Sequence, residues 1–400
     1  MTARNEGGAG SGNDARSPGL AILATAAAAS VIEVPHGPRS DDVTRKTPLD
    51  LSAAPEPRDE RRVDLAWQLW LDGELRRTPL PLADGLLLVL DRPGGSVALR
   101  LDSDGREIWQ VELPGVASSD PVRTQGFVAV ALGGERVVVI DVAHGRLLRN
   151  GVAVHGAAVR GGIAAVGGRL WVRLGKTSDG LGPFLAVLDL MAPGDGLRLF
   201  PDPLGSAIET RCRRTNNTLV AAAEHPNGNV LLVGLDESSA RLLWQHELPQ
   251  TGVVDLWAAG GLVDLVLSNG VRSWDARTGT PLTRRFAGHA LEGARLAGET
   301  LLVLVPDNGH GRHLRTFNAC TEDATGRLLA IQRVIGASSN LALLRDHDGN
   351  VMLVELPTLT PFTIPEADAI AGAELVAFSR HALWVVAHGG RSLTCLEPPE

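Results

Sequence analysis

Two stretches, Ile108-Trp-Gln-Val-Glu-Leu-Pro114 and Leu243-Trp-Gln-His-Glu-Leu-Pro249, are near copies of each other, and Ala66-Trp-Gln-Leu-Trp-Leu-Asp72 is a third. Each has Gln directly after the first Trp and Leu four residues after that Trp. On a β-strand, successive side chains point to opposite faces, so this Trp and this Leu share one face and the Gln lies on the other. The pattern predicts a half-exposed strand, with the tryptophans as packing anchors of the core.

A second pattern is an apolar run that ends in Asp and leads into a turn. Asp102 leads to Gly105 and Asp236 to Ala240, just before two of the Trp-Gln strands, and the same order recurs from Asp141 to Gly145 and from Asp275 to Gly279. An Asp side chain accepts backbone N–H groups in such turns, and Gly adopts positive φ without strain. These Asp residues are therefore predicted to cap turns rather than to act in catalysis.

A third pattern, a hairpin turn preceded by an apolar run, recurs eight times. Short Gly-containing turns between apolar runs are strong hairpin signals. The eight turns are Arg92–Gly95, Gly133–Gly134, Lys176–Gly180, His225–Gly228, Asn269–Gly270, Asp307–Gly309, Asp346–Gly349 and Gly389–Gly390.

Each unit therefore contains four strands, and eight units over residues 63–400 give about 42 residues per unit, the spacing of propeller blades. The predicted fold is all-β: a β-propeller of eight four-stranded antiparallel blades, with a seven-bladed, WD40-like propeller as the alternative. The last unit, from about residue 370, has only three strands, whereas the strand at 64–71 has no unit before it. We expect 64–71 to pair with the strand around 391–397 and to close the ring.

Residues 1–62 have a different composition, rich in Gly, Ser, Pro and charged residues, and are predicted to be a disordered tail or linker. The Ala-rich apolar segment 20–32 is too short to span a bilayer but has the length of a signal-peptide core. The compartment stays open: a cytoplasmic location is slightly favoured, and a periplasmic or secreted one follows if 20–32 is a signal peptide. The net charge of −8 argues against a nucleic-acid partner.

From about residue 63 onward, the Trp-Gln strands and the Asp-to-Gly turns resemble the pyrroloquinoline-quinone-type (quinoprotein-like) β-propeller repeat family. This resemblance implies the propeller fold. The family includes quinone-dependent dehydrogenases, a periplasmic outer-membrane assembly lipoprotein and many non-catalytic scaffolds. The dehydrogenases carry an adjacent cysteine pair over the cofactor, whereas Cys212, Cys320 and Cys395 lie far apart. We therefore expect no cofactor and a non-enzymatic member.

Two short motifs suggest metal binding, but each has a simpler interpretation. Asp346-His-Asp-Gly-Asn350 spaces its oxygen ligands like a calcium loop but lacks the distal Glu, so a hairpin turn is favoured. His310 and His313 offer two imidazoles without an evident third ligand, so a solvated loop is favoured. No catalytic motif was found, and no metal site is predicted.

The predicted function is a non-catalytic scaffold for protein–protein interaction or complex assembly. The alternatives are an exported envelope or outer-membrane assembly factor, and a small-molecule-binding or quinone-dependent enzyme that uses the central channel. The expected partners are proteins of unknown identity, bound by a monomeric propeller within a complex. Because the eight turns should lie on one face, their basic residues form a candidate partner-binding rim: Arg92, Lys176, His225, His310, Arg312, His313, His347 and Arg391.

Overall fold

The computed structural model describes residues 62–397 except 135, 150–156, 167, 191–196, 206–209, 250–251, 288–290, 292–293, 307–311, 320 and 326–328. The predicted tail, including segment 20–32, lies outside these residues apart from Arg62, so the domain boundary at 62/63 stays a prediction. The described residues form eight four-stranded antiparallel sheets, one for each predicted unit. The eight-bladed propeller is confirmed, and the seven-bladed alternative is wrong.

The first seven blades follow one another along the chain. Blades 1 to 4 consist of β2–β5 (Leu80–Leu82, Gly85–Arg92, Gly95–Asp102, Glu107–Glu112), β6–β9 (Val122–Thr124, Phe127–Leu132, Arg136–Asp141, Leu147–Arg149), β10–β13 (Val159–Val166, Arg169–Leu174, Phe184–Asp189, Leu197–Pro201) and β14–β17 (Thr210–Thr215, Thr218–Glu224, Val230–Asp236, Leu242–Leu248). Blades 5 to 7 consist of β18–β21 (Val253–Ala259, Leu262–Leu267, Gly270–Asp275, Pro281–Arg285), β22–β25 (Arg295–Ala297, Thr300–Pro306, Arg312–Asn318, Leu329–Ala330) and β26–β29 (Arg333–Ala337, Leu341–Arg345, Val351–Glu355, Thr360–Pro361).

Blade 8 joins the two ends of the propeller. It contains β30 (Leu375–Phe378), β31 (Leu383–Ala387) and β32 (Ser392–Glu397), and its outer strand is β1 (Asp64–Trp70). β1 pairs antiparallel with β32, from Asp64 opposite Glu397 to Trp70 opposite Ser392. A single turn of 3-10 helix, Ala367–Ile370, precedes β30. The predicted closure is confirmed, because the eighth sheet is complete only when both ends of the propeller contribute.

The core is divided among the interfaces between successive blades. Leu86, Leu88 and Leu90 of blade 1 pack against Trp384 and Val386 of blade 8, and similar clusters join the other neighbours around the ring. The two middle strands of blade 1 are buried almost throughout, as their continuous apolar sequence predicts. Each fully buried Leu or Val side chain contributes about 1.5–3 kcal/mol. The ring is therefore held together by blade-to-blade packing.

The three Trp-Gln strands attach to the next blade in the same way. The indole Nε1–H of Trp67, Trp109 and Trp244 donates to the carbonyl of Ser103, Val142 and Ala276, at 2.7, 2.9 and 2.8 Å respectively. Each acceptor directly follows the Asp that opens a turn. The Asp carboxylate caps its own turn, as predicted: for example, Oδ1 of Asp275 accepts from the N–H groups of Arg277 and Thr278.

Glycine is required where the indole meets the next blade's turn. Gly105, Gly145 and Gly279 have φ of +77°, +68° and +70°, and a Cβ at each would lie 2.4–2.7 Å from an indole carbon. In blade 4 the equivalent residue is Ala240, with φ of +56°, and it belongs to a cluster that also contains Phe200 of blade 3. At this pair of blades Phe200 stands in place of the Trp and Ala240 in place of the Gly, so a smaller aromatic ring accompanies the Ala side chain.

Trp70 is an exception among the predicted packing anchors. It is 66% exposed, and its ring stacks on His388 with centroids 5.5 Å apart. Trp70 lies three residues after Trp67 on the same strand, so the two side chains point to opposite faces. The expectation that all tryptophans anchor the core is wrong for Trp70.

Candidate functional site

The hairpin turns between the second and third strands lie on the same face of the propeller as the connections between blades. Backbone hydrogen bonds join the two sets: Gly133 N–H donates to Val116 O at 2.6 Å, and Gly175 N–H donates to Ala158 O at 2.7 Å. We call this side, formed by these turns and the interblade connections, the linker face. The Asp-to-Gly turns at 102–105, 141–145, 236–240 and 275–279 lie on the opposite face, because strand direction alternates within each blade.

Next to blade 8, where the two ends of the propeller pair, carboxylates offset the positive charges of the predicted basic residues. Arg92 Nε donates to Asp72 O at 2.6 Å, and its terminal nitrogen lies 3.5 Å from the Asp72 carboxylate. Arg391 is exposed, and its charge contributes to lowering the pKa of Glu74, after the larger effect of the Glu74–Arg76 hydrogen bond. Arg92 therefore fastens the connection after β1 to blade 1 and is only 24% exposed.

The other predicted rim residues occupy separate places on the linker face. Lys176 is exposed in the turn of blade 3, and His225 is half-buried in the turn of blade 4. In blades 6 and 7, Nε2 of the exposed His347 lies 3.2 Å from the backbone N and 3.3 Å from the backbone O of Arg312, so these two predicted residues meet. His313 is half-buried next to Arg312 on β24, and His310 lies outside the described residues.

An open cavity of about 950 Å³ lies at the linker-face ends of the inner strands of blades 4 to 7. The strands β14, β18, β22 and β26 all begin here, next to the connections that lead into them. Five arginines and one carboxylate, Asp255, are among the described lining residues. The arginines are Arg211, Arg213, Arg295, Arg312 and Arg333.

Two carboxylates in the described chain reach this cavity: Asp255 lies in the lining, and Glu224 accepts from Val253 N–H at its edge. Of the five arginines, only Arg211 approaches a described carboxylate, with its guanidinium 3.4 Å from Asp255. Arg213 and Arg333 donate to neutral backbone carbonyls, those of Cys212 at 3.0 Å and Ala373 at 3.2 Å. Arg295 and Arg312 form no ion pair with any described residue. The cavity therefore offers guanidinium groups to an anion.

Sequence reasoning identified only Arg312 among these five arginines. The missed signal is the position of the others: Arg295 and Arg333 each begin an inner strand, and Arg211 and Arg213 alternate on β14. Alternate residues on a strand share a face. Basic residues at the start of successive inner strands would have pointed to this cavity.

The two short motifs considered for metal binding have different outcomes. In the Asp346 motif, the Asn350 backbone N–H and side-chain amide both donate to the Asp346 carboxylate, at 2.8 and 2.9 Å, as expected of a hairpin turn. The interpretation of His310 and His313 as a solvated loop stays a prediction, because His310 lies outside the described residues. In the part of the chain that is described, no group of three or more His, Cys, Asp or Glu side chains is arranged to hold a metal ion.

The described cysteines are free thiols. Cys395 is buried and Cys212 is half-buried, and burial raises the pKa of these thiols to about 12 and about 11. Cys320 lies outside the described residues. Between residues 62 and 397, leaving out the undescribed gaps, the chain contains no helix with the length and apolarity to cross a bilayer.

Residues 59–196 match the family model described as "Outer membrane protein assembly factor BamB". Over these residues the sequence thus matches the predicted quinoprotein-like β-propeller repeat. A search of the curated proteins found no match.

More than a thousand chains of solved structures are similar to this fold. BamB from Moraxella catarrhalis matches with a TM-score of 0.57 and 12% identity, over 84% of this chain and 97% of the other. The designed protein Ika8 matches with 0.56 and 14%, over 84% and 99%. The quinohemoprotein alcohol dehydrogenase ADHIIG from Pseudomonas putida HK5 matches with 0.56 and 12%, over 84% and 76%. An assembly factor, a designed protein and an enzyme share the architecture, so the likeness establishes the fold alone.

Proposed function

We propose that this propeller is a non-catalytic scaffold that binds a protein partner during assembly of a complex, with the linker face as its docking surface. The observation that carries the proposal is the arginine-lined cavity. In an acidic protein, four neighbouring blades place positively charged side chains around this cavity on the linker face. Such local complementarity accelerates and orients the docking of an acidic partner. The match of residues 59–196 to an assembly-factor family also supports this role.

The docking face can be tested by site-specific cross-linking in the cells that naturally produce the protein. A photo-activated cross-linking residue replaces Lys176 or Pro226, which are exposed on the linker face, or Asp104 or Arg277, which are exposed on the opposite face. The proposal expects a discrete adduct from the first two positions and none from the second two. Adducts formed only from Asp104 and Arg277, or from no position, would contradict it.

An exported assembly factor is the finer form of this proposal, and the description of the matching family favours it. Export would cleave the chain near Ala28, because Ala26–Ala28 at the end of the apolar segment suits a signal-peptide cleavage site. Sequencing the N-terminus of the mature protein decides the question: a start shortly after residue 28 supports export, and a start at residue 1 or 2 contradicts it.

A further inference from the structure

The arginines of the cavity are attached to rigid elements. Arg211, Arg295 and Arg333 lie at the beginning of inner strands, and Arg312 begins β24 in the middle of blade 6. Their backbones are fixed by pairing with adjacent strands, for example Arg295 opposite Leu302 and Arg333 opposite Arg345. The directions in which these side chains leave the backbone are therefore set before any ligand arrives, which lowers the entropic cost of binding.

The carboxylate of Asp255, which lies in the cavity lining, already accepts hydrogen bonds from the protein itself. One of its oxygens accepts from Leu256 N–H at 2.9 Å and lies 3.4 Å from Arg211, and the other accepts from Leu296 N–H at 3.2 Å. Its side chain is only 17% exposed. Asp255 consequently offsets one guanidinium and leaves most of the positive charge available to a ligand.

The lining also shows what kind of anion fits. Half-buried apolar side chains, those of Val254, Leu296 and Ala337, lie among the arginines, and the cavity extends across four blades. Side chains on one face of an extended peptide recur about every 6.5–7 Å. An extended segment can therefore place several carboxylates on successive guanidinium groups, each in a charge-assisted and often bidentate pair.

We infer that the cavity binds an extended, carboxylate-rich segment of a partner protein, with Arg295, Arg312 and Arg333 as its principal anchors. This inference rests on the proposed function and assigns the chemistry of the docking segment. Because the arginines are exposed, binding should weaken as ionic strength rises and the Debye length shortens.

The probe is a fluorescein-labelled peptide of ten glutamates, added to the full chain and followed by fluorescence anisotropy. The cavity variant is R295A/R312A/R333A. The matched control, R106A/R241A/R277A, removes the same number of positive charges from exposed sites that belong to the strand-3-to-strand-4 turns of the opposite face. A third variant, R295K/R312K/R333K, keeps the charge but loses the planar fork.

We expect the cavity variant to weaken peptide binding by roughly tenfold or more, the sum of three exposed ion pairs, and the control to bind like the wild type. The lysine variant should fall between them, which separates loss of binding from loss of folding. Equal weakening in the cavity and control variants, or in neither, would overturn the inference.

Two competitors separate the other sources of anion. A single-stranded DNA decamer that binds at least as tightly as the peptide would overturn the assignment in favour of phosphate groups. Citrate that displaces the peptide at equal concentration would overturn it in favour of a free anion.

If wild type fails to bind the peptide while linker-face cross-links persist, the inference fails and the proposed function stands. If the peptide binds at the cavity but no linker-face adduct forms, the docking proposal fails.

Discussion

At the scale of single residues, three of the contacts between successive blades consist of a tryptophan ring packed on a glycine. Trp109 donates to Val142 O, which is 33 residues further along the chain, and the same contact recurs at Trp67 and Trp244 over separations of 36 and 32. The repeated Trp-Gln and Asp-to-Gly patterns predicted the strands and the turns. They did not reveal that each Trp contacts the turn of the next blade, because only the closed packing brings these residues together.

The steric role of Gly145 can be separated from its backbone conformation. Gly228 is a suitable control, because it also has positive φ, +83°, but nothing lies within 4 Å of where its Cβ would be. Gly228→Ala should cost about 1–2 kcal/mol through backbone strain alone. Gly145→Ala should cost a further 1–3 kcal/mol or so, because its Cβ would overlap the Trp109 ring. Urea denaturation measures both values, and equal losses would contradict the proposed fit.

Truncating the indole tests the same joint from the other side. Trp244 is 8% exposed, so Trp244→Ala should lower the free energy of unfolding by about 3–5 kcal/mol. Trp109→Ala should act similarly. Gln245 and Gln110 point to the exposed face, so Ala at either position should change stability by less than about 0.5 kcal/mol. A large loss at Gln110 with none at Trp109 would mean that the strand faces are inverted.

The turn Asp residues predict an acid dependence of stability. Side-chain hydrogen bonds from Ser238 and Ser239 are the main causes that lower the pKa of Asp236 to about 2. A carboxylate with a lowered pKa stabilises the folded state above its unfolded pKa of about 3.9, and this contribution is lost as pH falls through the folded value. Asp236→Asn should therefore cost most stability at neutral pH, and its difference from wild type should shrink between pH 4 and 2. Thermal melts of both proteins across this range measure the difference, and a constant one would contradict the assignment.

At the scale of elements, the ring is closed by β1, which pairs with β32 and completes blade 8. Deleting residues 1–60 leaves β1 intact, whereas deleting 1–72 removes the strand paired with β32 together with Trp67 and Leu71. We expect the shorter deletion to leave the melting temperature nearly unchanged. The longer one should lower it and promote aggregation through the exposed sheet edge. Equal melting temperatures for the two truncations would contradict closure by β1.

The sequence predicted the elements better than the site because the two leave different signals. Apolar runs between Gly-containing turns identify strands locally, and the unmatched strand at 64–71 identified the seam. Whether Arg213 or Arg295 faces a channel depends on how eight blades are arranged around it, which no local pattern encodes. The predicted rim included Arg92, and in the structure its guanidinium donates hydrogen bonds to Asp72 and Gln110.

At the scale of the whole molecule, a protein with a net charge of −8 concentrates positive charge in one cavity on its linker face. This arrangement predicts partner capture that depends on salt. Raising ionic strength from 0.05 to 0.5 M should weaken partner binding by the wild type, since the Debye length falls from about 14 Å to about 4 Å over this range. The R295A/R312A/R333A variant should show a smaller dependence in the same titration. Identical salt dependences would place the charged contacts elsewhere.

Hydrogen–deuterium exchange of the full chain, alone and bound to the partner identified by cross-linking, tests docking through the linker face most directly. Docking through this face predicts slower amide exchange on binding at the linker-face ends of β14, β18, β22 and β26. The turns at 102–105, 141–145, 236–240 and 275–279 on the opposite face should keep the exchange rates of the unbound protein. Protection confined to those turns, with none at the inner-strand ends, would contradict docking through the linker face.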